Sequence, residues 1–146
     1  MTRINVGLIE YDSPVYLESV SLRQDVLRTP LGLKFTKENM VTDEHEYHIA
    51  ASDGDNLVGI LLLRPLDNGF IKMRQVAVRE EFQGKGIGQK LVEFAEEFAT
   101  GLGFNIMELH ARKVSLNFYE RLNYAIVGEQ FEEIGIPHFR MEKNLV

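Results

Sequence analysis

Gln83-Gly84-Lys85-Gly86-Ile87-Gly88 links an apolar run ending at Val78 to an amphipathic run beginning near Leu91. Glycines at such a junction adopt left-handed backbone angles and let a ligand approach the main chain closely. The first turn of the following helix offers unpaired N–H groups and the positive end of its dipole. Together these features form an anion site suited to a pyrophosphate. Two better-known phosphate motifs do not fit. A P-loop needs Ser or Thr after Gly-Lys to hold magnesium, and Lys85 is followed by Gly86. A dinucleotide fingerprint starting at Gly84 needs glycine three residues after Gly86, where Gln89 stands. ATP chemistry and NAD binding are therefore disfavoured. The competing reading is a loop that serves turn geometry alone.

Outward from the loop, the hydrophobic period changes. Upstream, His45 to Ala51, Leu57 to Leu63 and Phe70 to Val78 read as consecutive antiparallel strands, separated by Ser52-Asp53-Gly54-Asp55 and Pro65-Leu66-Asp67-Asn68-Gly69. Asn68-Gly69 supplies the positive φ of a tight turn. Downstream, Leu91, Phe94, Ala95, Phe98 and Leu102 define one helix face, closed by Gly101 or Gly103. Strands are then expected at Phe104 to His110, Tyr124 to Gly128 and His138 to Lys143, with a short helix at Ser115 to Leu122. At the start of the chain, Ile4 to Ile9 reads as a strand. Ser13-Pro14 reads as the N-cap and first position of a helix ended by Pro30 and Gly32. Thr36 to Val41 suggests a second short helix. The whole reads as one mixed α/β (α+β) domain over residues 1–146.

Composition excludes several classes. With 22 acidic and 16 basic residues, the net charge of −6 argues against a nucleic-acid or anionic-membrane partner. There is no cysteine, hence no disulfide, thiolate metal site or cysteine nucleophile. Met1-Thr2-Arg3-Ile4-Asn5 lacks the apolar core of a signal peptide. No apolar run approaches the roughly 20 residues of a membrane span. A cytoplasmic location is expected. His45 and His48, three apart in an expected strand, would face opposite sides, so no metal site is expected.

The segment Val76-Ala77-Val78-Arg79-Glu80-Glu81-Phe82-Gln83-Gly84-Lys85-Gly86-Ile87-Gly88 resembles the acetyl-CoA motif of the GNAT superfamily of acetyltransferases. That motif is Arg or Gln, two residues, Gly, one residue, then Gly or Ala; Gln83, Gly86 and Gly88 match it. Asn117-Phe118-Tyr119-Glu120-Arg121-Leu122-Asn123-Tyr124 resembles the family's second motif. The resemblance covers roughly Glu46 to Leu145. The segments Leu22 to Gly32 and Gly135-Ile136-Pro137-His138 are similar to one uncharacterised subgroup of the family. Two positions depart from the pattern. Arg112 stands where relatives often carry an Asn that contacts the cofactor arm. Asn123 replaces a Gly, a mild change because Asn accepts the left-handed region.

The resemblance implies a mostly antiparallel mixed sheet flanked by helices, with acetyl-CoA as cosubstrate. It also implies direct attack by a primary amine on the thioester in a ternary complex. Under it, the backbone of Val76, Ala77 and Val78 holds the pantetheine arm and the developing oxyanion, unless Val76 and Val78 are core residues only. Gln83, Gly84, Lys85, Gly86, Ile87 and Gly88 hold the pyrophosphate, and Arg112 lies beside the arm. Tyr119 is the candidate acid for the departing thiolate, since a phenol of reference pKa ~10 is protonated at neutral pH. His110 and His138 are candidate bases. Glu133, Glu132 and Glu81 are acidic alternatives, and a water relay would leave no single base. Arg23, Arg28, Arg74 and Arg112 are candidates for binding a substrate carboxylate or phosphate, against solvated or ion-paired arginines. A small-molecule amine is the expected acceptor, and apolar surface near the last strand is compatible with a homodimer. The alternatives are a non-catalytic acyl-CoA-binding or sensing module, and a protein lysine or N-terminal acetyltransferase.

Overall fold

The computed structural model describes residues 3–146. Met1 and Thr2, which begin the leader reading above, lie outside the described residues. The chain forms two compact units, Met1–Arg64 with Gln75–Ala95, and Pro65–Arg74 with Glu96–Val146.

In the first unit, strand β1 (Ile4–Ile9) leads to helix α1 (Pro14–Arg23). Ser13 caps the helix as expected, its Oγ accepting from the Tyr16 N–H at 3.2 Å. The helix does not run on regularly to Pro30. A π-helical segment follows over Gln24–Arg28, then a 3₁₀ turn over Thr29–Leu31, and Gly32 (φ +70°) ends the run. The cause is visible at Gln24. Its amide donates to the Thr29 hydroxyl and the Leu33 carbonyl and accepts from the Phe35 N–H, tying the helix end to the chain that leaves it.

The expected helix at Thr36 to Val41 is only a 3₁₀ turn, Glu38–Met40. His45 belongs to another such turn, Asp43–His45, so the strand expected from His45 begins two residues later. Strands β2 (Tyr47–Asp53) and β3 (Asn56–Pro65) form an antiparallel hairpin, and β1 pairs antiparallel with β2. Leu57 to Leu63 is buried throughout, Gly59 included. A Cβ on Gly59 would stand 2.9 Å from Leu91 Cδ1 and 3.4 Å from the Ala77 carbonyl oxygen. Only glycine lets the layers meet this closely.

In the second unit, the first half of β4 (Phe70–Val78) pairs in parallel with β5 (Ile106–Arg112). The order continues through β8 (Ile136–Asn144) to β6 (Ala125–Ile126), both antiparallel, and β7 (Phe131–Glu133) also pairs with β8. Asn68 and Gly69 take φ of +61° and +80°, the geometry expected of that turn. β5 starts at Ile106, later than Phe104, because the Asn105 and Ile106 N–H groups still donate to the Gly69 carbonyl. Strand β7 is not apparent in Phe131-Glu132-Glu133, which reads as an acidic loop. Ile134 and Gly135, with φ of +48° and +75°, close it onto β8 as a two-residue hairpin.

Helix α2 (Ile87–Gly101) buries Leu91 and Ala95 of the expected apolar face, with Val92 and Ala99 beside them; Phe94 and Phe98 are half-buried, and Leu102 lies past the helix end and is exposed. Helix α3 (Leu116–Arg121) is short and carries Tyr119.

Candidate functional site

The glycine loop lies wholly in the first unit. After Val78, Arg79 is anchored twice to β3: its N–H donates to the Val58 carbonyl at 2.8 Å and its Nε to the Leu57 carbonyl at 3.0 Å. A 3₁₀ turn (Glu80–Phe82) follows, and the Gln83 side-chain amide returns to donate to the Val78 carbonyl at 2.8 Å. Gln83 thereby pins the loop to the strand end. Gly84 and Gly86 take φ of +77° and +82°, conformations that disfavour other residues, and no heavy atom lies within 4 Å of either Cβ position. The Lys90 N–H donates to the Gly86 carbonyl, so Gly86 is the N-cap of α2. The N–H groups of Ile87, Gly88 and Gln89 thus precede the first helical bond. Ile87 is buried and offers only its backbone; Lys85 lies 5.2 Å from the Phe82 ring. An open loop at a helix N-terminus is suited to hold an anion.

Val76, Ala77 and Val78 close β4. Ala77 is the buried one, while Val76 and Val78 are half-buried. The alternative that Val76 and Val78 are core residues therefore transfers to Ala77. Just before them, Gln75 has φ +56°, an uncommon angle for a residue with a side chain.

The second unit brings several of the other predicted residues together. His110, on β5, shares a hydrogen bond between Nδ1 and Glu133 Oε1 at 2.9 Å. His138 Nε2 lies 3.7 Å from the other oxygen of the same carboxylate. Its Nδ1–H donates to the Ile136 carbonyl at 2.9 Å, leaving Nε2 bare when the ring is neutral. Phe131 packs edge-on to His110 at 5.0 Å and stacks on His138 at 6.0 Å. The hydrogen bond from His110 holds the Glu133 carboxyl below its usual range; partial burial opposes this, and the nearby charges of His110, His138 and Lys72 add to it. His110 is partly open to solvent and His138 is buried. Arg112 faces His138 across the β5–β8 ladder, and burial lowers its guanidinium pKa. Glu132 is exposed. The bridging role of Glu133 was missed at the level of sequence, although Ile134-Gly135 between two short runs is a hairpin signal that would have placed it.

Tyr119 sits on α3, 8% exposed, with Phe118 at 4.9 Å and Tyr124 at 5.8 Å from its ring, both edge-on. Burial pushes its phenol pKa up, so the hydroxyl keeps its proton through the neutral range. Tyr124 is in turn fixed by donating to Glu96 Oε2 at 2.8 Å, and Lys143 binds the other oxygen of Glu96 at 2.9 Å.

One candidate for substrate recognition is overturned. Arg23 is fully buried and bonded to Asp43 at 2.8 Å, so it is an internal ion pair and not a surface site for a substrate anion. Arg28 lies 4.3 Å from the Phe35 ring. Glu81 lines an open cavity of about 370 Å³ together with Glu18, Asp55 and Arg79.

A mixed, mostly antiparallel sheet, one of whose strands leads through a glycine loop into the N-terminus of a helix, defines the α/β class of the fold. The model of the Acetyltransferase (GNAT) family matches residues 13–124, and the chain belongs to that family. It is similar to the peptidyl-lysine N-acetyltransferase YjaB of Salmonella typhimurium, 30% identical over 128 residues, 85% of this chain and 82% of that protein. The chain spans about half the length of two Bacillus subtilis relatives that it matches. A provisionally assigned N-acetyltransferase from Lactobacillus plantarum superposes with a TM-score of 0.87 at 27% identity, covering 98% of this chain and 99% of that one. An acetyltransferase from Bacillus subtilis, solved in complex with CoA, has the same fold. Its TM-score is 0.74 at 23% identity, over 99% of this chain and 100% of that one. The expected fold, mixed α/β with a mostly antiparallel sheet, is the one observed.

Proposed function

We propose that the protein is an acetyl-CoA-dependent N-acetyltransferase that acts on a primary amine. The observation that carries this reading is the loop itself. Gly84 and Gly86 are left-handed, the Gln83 amide pins the loop to Val78, and α2 begins at Gly86 with its first N–H groups ahead of the helical ladder. In this reading the Gln83 to Gly88 backbone binds the pyrophosphate. The Val76 to Val78 backbone binds the pantetheine arm and the oxyanion, and the family resemblance assigns Arg112 to the cofactor as well.

The amine nitrogen attacks the thioester carbonyl carbon, the C–S bond breaks, and two protons move. His110 takes the proton from the amine through Nε2, because Glu133 engages Nδ1 and so sets the tautomer. His138, buried and bonded to the Ile136 carbonyl, flanks the other oxygen of Glu133. Tyr119 gives its proton to the departing thiolate; burial keeps the phenol protonated until then. A cytoplasmic location suits a CoA-dependent enzyme without cysteine. Among the described residues no helix is long and apolar enough to cross a membrane.

A small-molecule amine is the acceptor favoured from the sequence. The similarity to YjaB, named as a peptidyl-lysine enzyme, favours a lysine side chain as a second acceptor class. Steady-state turnover of acetyl-CoA against a panel of free amines and lysine peptides tests both. Turnover that falls at least tenfold in Tyr119→Phe and in His110→Gln is expected. Acetylation of peptides but of no free amine would assign the second class. Tight CoA binding with no turnover on either panel would leave a non-catalytic acyl-CoA-binding module and remove the enzyme reading.

A further inference from the structure

Strand β4 holds a left-handed residue with a full side chain, Gln75, at φ +56°. Its regular pairing with β5 covers Phe70 to Met73 and ends two residues earlier. Immediately after Gln75 comes Val76-Ala77-Val78, the backbone that the proposed function assigns to the thioester. A non-glycine residue in this region is strained and persists only where its surroundings over-determine it.

Those surroundings are unusual. Arg23, at 0% exposure, sends Nε to the Gln75 side-chain oxygen at 3.4 Å. Its Nη1 donates to Asp43 Oδ2 at 2.8 Å, and the Tyr16 hydroxyl donates to the same oxygen at 2.8 Å. His48 Nε2–H donates to the Asp43 carbonyl at 2.8 Å, so the acid is held by backbone and side chain alike. The Phe35 ring lies 5.1 Å from the Arg23 guanidinium. Burying an ion pair is a poor route to stability, because desolvation offsets the attraction and an apolar set of equal volume does as well. What a buried, directional pair supplies is geometry.

We propose that Arg23 is a positioning residue for acyl transfer: held by Asp43, which Tyr16 fixes in turn, it keeps Gln75 in the left-handed conformation and so sets the direction of the Val76 to Val78 backbone. The inference rests on the proposed function, since it assigns that backbone to the thioester. It also separates two roles in one unit: the Gln83 to Gly88 loop binds the cofactor, and the Arg23 brace aligns the reacting carbonyl.

The test uses a charge-matched variant, Arg23→Met with Asp43→Asn, so that no unpaired charge is left buried and the Tyr16 hydroxyl keeps an acceptor. Affinity for 3′-phospho-ADP, the part of CoA that carries the pyrophosphate but no pantetheine arm, should stay within about threefold of wild type, since the glycine loop is untouched. Single-turnover acetyl transfer should fall roughly 10- to 100-fold, the scale expected when a reacting group is misplaced by about 1 Å. Adding Gln75→Gly to this background should recover at least roughly tenfold, because glycine takes positive φ without a brace. A purely structural role predicts otherwise: activity would follow the loss of thermal stability and Gln75→Gly would not restore it. Either that pattern or an unchanged rate overturns the proposal.

A second readout does not need turnover. Backbone NMR shifts of Gln75 and amide exchange at Val76 to Val78, in the unliganded protein, should change in the charge-matched variant and revert with Gln75→Gly. If wild type acetylates nothing, the enzyme reading fails while this arm still decides the conformational claim. Unchanged shifts and exchange in the charge-matched variant would refute it.

Discussion

Replacing Gly86 separates strain from charge at the proposed pyrophosphate site. Its φ is +82° and a Cβ there meets nothing within 4 Å, so a side chain encounters backbone strain but no clash. That strain costs about 1–2 kcal/mol for a residue with a Cβ. In Gly86→Ala the cost is shared between two readouts. If the free protein keeps the loop shape, it lowers stability and leaves CoA affinity near wild type. If the loop relaxes, it weakens CoA binding by about 5- to 30-fold. Gly86→Glu adds a carboxylate beside the bound phosphates. At about 5 Å, repulsion between two unit charges is about 3 kcal/mol at an effective dielectric of ~20, and ~0.8 kcal/mol in open water. Strain and repulsion together give about 2–5 kcal/mol, or roughly 30-fold to a few thousand-fold in affinity. Calorimetric titration with CoA reads the affinity, and circular-dichroism melts confirm folding. A folded Gly86→Glu protein that binds CoA within about twofold of wild type would refute the assignment of the loop. So would a wild-type protein that binds no CoA.

Acid should act through Glu133. Its carboxyl is held below the ordinary 4.5 chiefly by the His110 hydrogen bond, so its contribution is complete above that pH and fades as pH falls through the lowered value. Because the pair is partly exposed, Glu133→Gln should cost only about 0–1 kcal/mol at neutral pH, with the gap to wild type closing in strong acid; a gap that widens on acidification in thermal melts would contradict this. Alkali should act through Tyr16, Tyr119 and Tyr124, whose phenols are all raised above 10, first of all by burial. Their stabilisation is complete below pH 10 and is lost above it, by up to about 1.4 kcal/mol per pH unit for each phenol. Phenolate absorbance should appear together with unfolding, and Tyr124→Phe should lessen the slope; free titration of all three in the folded state would count against it. Gly59→Ala should destabilise by about 1–2 kcal/mol, because the 2.9 Å approach to Leu91 Cδ1 and the 3.4 Å approach to the Ala77 carbonyl outweigh the entropy gained in the unfolded chain. Equal or higher melting temperature than wild type would show that Leu91 yields without cost.

Local chemistry made much of this chain legible. Ser13-Pro14 starts a helix because a hydroxyl and a missing N–H suit that position wherever it occurs. Gly84 and Gly86 adopt positive φ because no Cβ opposes it, and the apolar face of α2 follows from spacing alone. Asn68-Gly69 turns the chain for the same local reason. The sequence by itself therefore determined the strand, loop and helix that carry the family motif, and the mixed α/β class with them.

Tertiary structure decided what depends on residues far apart in the chain. Arg23 and Asp43 are twenty positions apart, and nothing local distinguishes this buried arginine from Arg28. His110 and Glu133 are twenty-three apart, and they meet because the Ile134-Gly135 turn brings β7 onto β8. Gln75 has no local reason to be left-handed; the brace reaching it from α1 supplies one. The π-helical end of α1 likewise reflects the bonds of Gln24 to Thr29, Leu33 and Phe35, not helix propensity. Capping, glycine angles and amphipathic spacing act within a few residues, so they can be read along the chain. Buried charge pairs and shared carboxylates exist only after packing excludes water and sets their distances, and those contacts position the groups proposed for catalysis.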